Sequence, residues 1–271
     1  MKHSLKKVLS AVLASALLLS FAACSDSSAN SKTIRVGASP APHAQILESC
    51  KESLAKKGYA LEIVEFTDYV QPNLSLDGGD LEANFFQHTP YLEEFCASNG
   101  TDLVSAVKVH FEPLGIYAGK SSDIANIADG AEIAVPNDPT NEARALQLLA
   151  DNGLITLAEG AGLNATVKDI IVNPKNVKIL EIEAAQLPRS LPDVDLAVIN
   201  GNYALDADII DSLILTEDPQ SDAAQEFANI LAVRKGDENS EATKALVEVL
   251  TSSSVKAFIQ ETYGATVVAV F

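Results

Sequence analysis

VPNDPTNEARALQLL, residues 135–149, reads as the end of a buried strand running into a helix. Asp138 offers a side-chain oxygen to the free N–H groups of a helix start. Pro139 suits the first helical position, where no N–H is needed. LEANFFQHTPYLEEF, residues 81–95, repeats the design, with Thr89 as the expected cap and Pro90 behind it. Working outward, short apolar strands are expected at Thr33 to Ala38, Ala60 to Phe66, Leu81 to Phe86, Glu132 to Val135, Val177 to Leu180, Asp195 to Ile199 and Asn229 to Val233. Helices are expected at His43 to Lys57, from Pro90, at Pro139 to Asp151, and twice across Glu241 to Tyr263. The first has helical spacing through Ile46, Leu47, Cys50 and Leu54, and Gly58 ends it. Strand–helix alternation predicts an α/β fold with largely parallel sheets. There is no internal repeat.

The start of the chain reads as an export signal. Lys2, Lys6 and Lys7 precede an apolar run from Val8 to Ala23, short for a membrane span, which needs about twenty residues. Phe21, Ala22, Ala23 and Cys24 resemble a bacterial lipobox, in which the cysteine is lipidated; the usual leucine is Phe21 here. The Ser-rich SDSSANSK, residues 25–32, suits a flexible tether. Removing residues 1–23 deletes three lysines and no acids, leaving 16 basic against 37 acidic side chains, a net −21. Such a surface repels nucleic acid and anionic lipid, so attachment to a membrane has to be covalent, through Cys24. The remaining cysteines, Cys50 and Cys96, could pair, but both fall in expected helices and the simpler reading is two semi-buried free thiols.

Candidate chemistry clusters at strand ends and helix starts. Asn141 and Arg144 are three apart on one helix face. With the free N–H groups they would make a carboxylate receptor, the arginine fork binding bidentately. Spacing alone leaves open whether they only form surface bonds around a capped helix. Phe86 and His88, two apart at a strand end, can wall a slot for an apolar or thioether side chain, or serve as core and cap. Asn200 and Asn202 follow a strand, and Asn229 opens one; asparagine there is ordinary turn chemistry, yet it also offers a donor and an acceptor to a zwitterion. No G-x-S-x-G, H-E-x-x-H or Walker A motif is present, and His43, His88 and His110 lack metal-ligand spacing. Neither a cofactor nor a metal is expected. An enzyme, for instance a hydrolase using His88 or Glu112, would lack a paired nucleophile.

VGASPAPHAQIL (36–47), DYVQPN (68–73), FQHTPYL (86–92), VPNDPTN with Arg144, AAQLPRSL (184–191) and VINGNYA (198–204) together resemble the NlpA-type methionine-uptake lipoproteins, the substrate-binding components of methionine ABC transporters. The resemblance runs from about residue 33 to the C-terminus. It implies a two-lobed periplasmic-binding-protein fold, type II-like, with ligand in the interlobe cleft. Lobe one would hold residues 33–117 and 229–271, and lobe two residues 118–228. It further implies that Tyr69, Phe86 and His88 wall the methionine side chain and that Arg144 pairs with the carboxylate. Asn141, Asn202 and Asn229 would fix the amino-acid head, and Glu112, in HFEPLGIY, is the candidate for the ammonium. The function so implied is capture of L-methionine or a close analogue by a monomer, lipid-anchored outside the cytoplasm, for permease and ATPase subunits. The alternatives are a methionine-containing dipeptide, another amino acid, or a surface adhesin or sensor.

Overall fold

The computed structural model describes residues 32–220 and 225–271. The expected signal, Cys24 and the tether as far as Ser31 lie outside the described residues. Lys32, expected as the last tether residue, already pairs with Tyr59 in the first strand. The strands are β1 Lys32–Ala38, β2 Tyr59–Glu65, β3 Ala83–His88, β4 Leu103–Phe111, β5 Gly115–Ala118, β6 Glu132–Pro136, β7 Thr156–Leu157, β8 Ile170–Val172, β9 Lys178–Ile182, β10 Leu196–Ile199, β11 Leu213–Thr216, β12 Asn229–Arg234 and β13 Val268–Ala269. The helices that matter here are α1 Gln45–Lys56, α2 Gln71–Asp77, α3 Thr89–Asn99, α4 Pro139–Asp151, α5 Gly201–Asp206, α6 Glu241–Leu250 and α7 Ser253–Tyr263.

Two large sheets organise these elements, one in the order β13-β4-β12-β3-β1-β2, the other β11-β5-β10-β6-β9, and β7 pairs with β8 in a separate two-stranded one. This is the two-lobed α/β arrangement. The sheets are mixed, which corrects the expectation of largely parallel ones. β1 runs parallel to β2 and β3, and β6 parallel to β9 and β10. β12, β13, β5 and β11 all pair antiparallel. β5 and β12 adjoin the two crossings between these sheets, while β13 pairs with β4 at the outer edge of the first sheet after α7. β5 belongs to the second sheet, pairing with β10. The first crossing is therefore residues 112–114, a few positions before the boundary expected at Tyr117. A four-residue buried strand such as GIYA carries no sign of which sheet it joins.

Alternation along the strands builds the core. In β12, Leu231 and Val233 join the cluster under α1, α6 and α7, while Ile230 and Ala232 join the one that holds Leu76 and Leu92. In the second sheet Ile133, Val135, Leu196 and Val198 face α4; Ala134, Ala197 and Ile199 face the segment that contributes Leu187 and Leu191. Each fully buried leucine or isoleucine contributes about 1.5–3 kcal/mol. The expected spacing of α1 holds, since Ile46, Leu47, Cys50 and Leu54 are its buried residues.

Cys50 and Cys96 are free. The Cys50 Sγ points back at the Ile46 carbonyl at 3.3 Å, and burial pushes its thiol up to about 11. Thiol titration of the denatured, unreduced chain from Ser25 onward is expected to find two thiols. In the folded protein Cys50 is expected to resist alkylation, and finding no thiols after denaturation would overturn the assignment.

Candidate functional site

Strand register assembles the first group. β12 lies between β3 and β4, and Asn229 pairs with His88 on one side and His110 on the other. The row sits where β4 ends and the chain leaves the sheet, so Glu112, one residue past β4, lies beside it. The Glu112 Oε1 is 2.7 Å from Nε2 of His110 and 3.2 Å from Nε2 of His43; the latter is also 3.0 Å from Asn229 Oδ1. Glu112, His43 and His110 are all buried. On the far side of Glu112 stands Gly201, where an added Cβ would come within 2.9 Å of the Glu112 Cβ.

The second group comes from the start of α4. Asp138 is its N-cap, accepting from the Asn141 N–H at 3.0 Å and from Asn141 Nδ2 at 2.8 Å. Asn141 Oδ1 is then free to accept from Asn200 Nδ2 at 2.9 Å and from His88 Nε2 at 3.1 Å. The His88 Nδ1 accepts the Tyr91 N–H, so His88 itself caps α3 and the proton must sit on Nε2. Thr89, the expected cap, is the first helical residue instead, because an imidazole nitrogen reaches the same free N–H.

One turn along α4, Arg144 is buried with its guanidinium over the rings of Phe111 and Phe227, 5.4 and 4.5 Å from their centroids. Its Nε donates to Glu217 Oε1 at 2.7 Å. Its Nη2 donates to Glu217 Oε2 at 2.5 Å and to the Glu112 carbonyl at 2.9 Å. The fork expected to face a ligand is thus engaged by the protein's own carboxylate, which leaves Nη1. Opposite, Tyr69 packs among Phe86, Tyr91 and Tyr203 with centroids 5.0–5.8 Å away.

All nine residues expected from the sequence line one pocket: Tyr69, Phe86, His88, Glu112, Asn141, Arg144, Asn200, Asn202 and Asn229. Gln87, Tyr91 and Gly201 line it too. Tyr91, Gln87 and His43 stand inside motifs quoted above, but nothing in the spacing singles them out. Glu217 has no sequence signal at all. Hydrogen bonds between described residues that join the two sheet units include His88 to Asn141, Tyr69 to Asn202 at 2.5 Å, and Tyr203 to the Thr67 carbonyl at 3.2 Å.

Tertiary folding makes a cluster that linear spacing does not show. One ligand atom each from His43, His110 and Glu112 lie within 4.8 Å of one another, as a metal site would require. The protons argue for a different role. The His110 Nε2 is the natural donor to the Glu112 oxygen, the His43 Nε2 donates to Asn229 Oδ1 with that oxygen 3.2 Å away, and both Nδ1 atoms are buried without a hydrogen-bond partner. A metal on Nε2 would move each proton to an Nδ1 with nothing to accept it, a cost of about 1–3 kcal/mol apiece. The cluster is built as a clamp on a carboxylate, which His110 hydrogen-bonds and His43 flanks. Burial pushes the Glu112 carboxyl up, against the pull of His43, Arg144 and the Asn202 N–H. Burial also lowers the imidazoles: His43 to about 4, His110 to about 3, and His88 to about 3 with help from the Arg144 charge. The site therefore presents neutral rings, a carboxylate at one end and a half-engaged arginine at the other.

The family described as NlpA lipoprotein matches residues 34–271. The chain is 40% identical to the D-methionine-binding lipoprotein MetQ of Salmonella typhimurium, over 88% of each. A nutrient binding protein from Burkholderia cenocepacia, whose structure is bound to methionine, is 44% identical with a TM-score of 0.83, over 88% of this chain and all of that one. A periplasmic substrate-binding protein of an ABC transporter from Coxiella burnetii is 42% identical with a TM-score of 0.81, over 87% of this chain and 99% of that one.

The three histidines take up protons near 6.5 when unfolded but far lower when folded. They therefore withdraw stability as pH falls below 6.5 towards 4, each by about 1 kcal/mol per pH unit. Nitrogen-15 NMR of the imidazoles is expected to show His43, His88 and His110 neutral with Nε2 protonated from pH 5 to 8. A ring titrating near 6.5 would contradict the clamp geometry.

Proposed function

The chain belongs to the NlpA lipoprotein family, and from that membership we propose that it captures methionine outside the cytoplasm and delivers it to an ABC importer. The observation that carries this reading is the spacing of charge in one pocket. Glu112, clamped by His43 and His110, stands at one end, and Arg144 stands at the other. Tyr69, Phe86 and Tyr91 form an aromatic wall along it. That pattern suits an amino-acid zwitterion with an apolar or thioether side chain. In this reading the ammonium faces Glu112, and the carboxylate takes Arg144 Nη1 with the amides of Asn141 and Asn200. Asn200 Oδ1 is buried without a partner and is the polar atom a ligand N–H would satisfy. Asn202 and Asn229 hold Tyr69 and His43 in place at the edges of the pocket.

The two sheets act as lobes, residues 32–111 with 229–271 forming one and 115–220 the other. The hydrogen bonds across the cleft form when the lobes close on ligand. His88 is a wall and not a base, because both its ring nitrogens are already engaged. Binding without turnover follows. Among the described residues no helix is long and apolar enough to cross a membrane. A lipid on Cys24 would hold the protein, as a monomer, beside permease and ATPase subunits.

Native mass spectrometry of the purified protein reads whether a ligand is retained and gives its mass, and methionine is the expected answer. Calorimetry with L- and D-methionine, other amino acids and methionine dipeptides then ranks them. Hydrogen bonds to charged groups are worth about 1.5–3 kcal/mol, so Arg144→Ala is expected to weaken methionine roughly tenfold to a hundredfold. Unchanged affinity would remove Arg144 from the site, and methionine binding no better than other amino acids would overturn the ligand.

A further inference from the structure

Glu217 sits just past β11, far in sequence from every motif that lines the cavity. Two backbone-anchored contacts place it: its N–H donates to the Leu114 carbonyl at 3.0 Å, and its Oε2 accepts the Leu114 N–H at 2.8 Å. Leu114 lies in the crossing between the sheets, so the Glu217 side chain is fixed at the hinge. From there it takes Arg144 bidentately, with the pair 12% and 5% exposed. Arg144 has five N–H donors. Nε and one hydrogen of Nη2 go to Glu217, and the other Nη2 hydrogen goes to the Glu112 carbonyl. The two hydrogens on Nη1 are what remains for a ligand.

We propose that Glu217 is a specificity-determining residue that sets how much carboxylate charge the Arg144 subsite demands. The inference rests on the amino-acid-binding reading above and deepens it. An arginine buried alone would need the ligand's carboxylate as its counter-charge. Leaving such a cation unpaired would cost more than a hundredfold in affinity. With Glu217 in place the cation is answered before any ligand enters. A carboxylate arriving at Nη1 gains hydrogen bonds but meets a second anion across the same guanidinium. A carboxamide gains hydrogen bonds of similar geometry and meets no such repulsion. Glu112, at the other end, still requires the ammonium. The site therefore selects the free amine and the side chain strictly, and the carboxyl end loosely. The ligand class is a primary amine of amino-acid type whose carboxyl is either free or masked as an amide.

Calorimetry of methionine and methioninamide on the wild type and on Glu217→Gln tests this. The wild type is expected to prefer the free acid by less than a hundredfold. Glu217→Gln removes the charge but keeps the size, and is expected to shift the acid-to-amide affinity ratio towards the acid by tenfold or more. Loss of a purely structural contact would weaken both ligands alike and leave the ratio within twofold, which overturns the proposal. A shift towards the amide also overturns it. If Glu217→Gln does not fold, the wild-type ratio decides alone: a preference for the acid above a hundredfold means that Arg144 is not answered by Glu217. A wild type that binds neither compound refutes methionine as the ligand and not the role of Glu217. The same comparison is then made with the free acid and amide of the amino acid found by mass spectrometry.

Discussion

Taking the Glu112 carboxylate out of water costs several kcal/mol unless hydrogen bonds and charge answer it. Much of the surrounding structure supplies that answer. Two imidazoles converge on one of its oxygens, the Asn202 N–H supports it, and Gly201 lacks the Cβ that would collide with it. Each contribution comes from a different part of the chain. His43 precedes α1, His110 ends β4, and Gly201 opens α5, so the two sheets and the crossing must all be in place before the carboxylate is satisfied. None of the three supplies a formal positive charge, because burial keeps both rings neutral. The carboxylate is held firmly and remains short of a cation, which is the condition of a receptor for an amine.

The other end of the cavity solves the opposite problem in a different way. Arg144 is always charged, and its guanidinium lies between two phenyl rings with a carboxylate of the same protein on its fork. The protein thus satisfies its buried cation internally and leaves its buried anion open. The aromatic wall lies between these ends, and the hydrogen bonds from His88, Tyr69 and Tyr203 to the facing unit close the cleft over it. Because those bonds link side chains whose elements belong to different sheets, closing the cleft and completing the polar lining of the cavity are one event.

Local chemistry made a large part of this legible in the residues. Capping and proline placement located the start of α4 to the residue, and apolar periodicity located α1 and β6. Those signals are local, set by the backbone groups and side chains of a few neighbouring residues. Seven lining residues were readable because they stand near strand ends and helix starts within the quoted motifs of a known family, with Glu112 and Asn229 outside those motifs, although geometry alone left their roles open. Tertiary contact decided the rest. The antiparallel pairing of β12 with both neighbours, which makes the row His88–Asn229–His110, depends on which strands meet and not on any one strand's pattern. The cap of α3 moved from Thr89 to His88 because an imidazole's reach depends on its rotamer in the packed state. The clamp on Glu112 joins residues far apart in the chain, and Glu217, anchored at Leu114 in the crossing, reaches Arg144 across 73 positions. The sequence by itself determined the α/β class, the helix start that carries Arg144 and the family, because these rest on short-range hydrogen bonding and ordered motifs. Only the tertiary structure decided which buried charge is paired with an opposite charge of the protein and which is not, because that depends on distances between residues far apart in the chain.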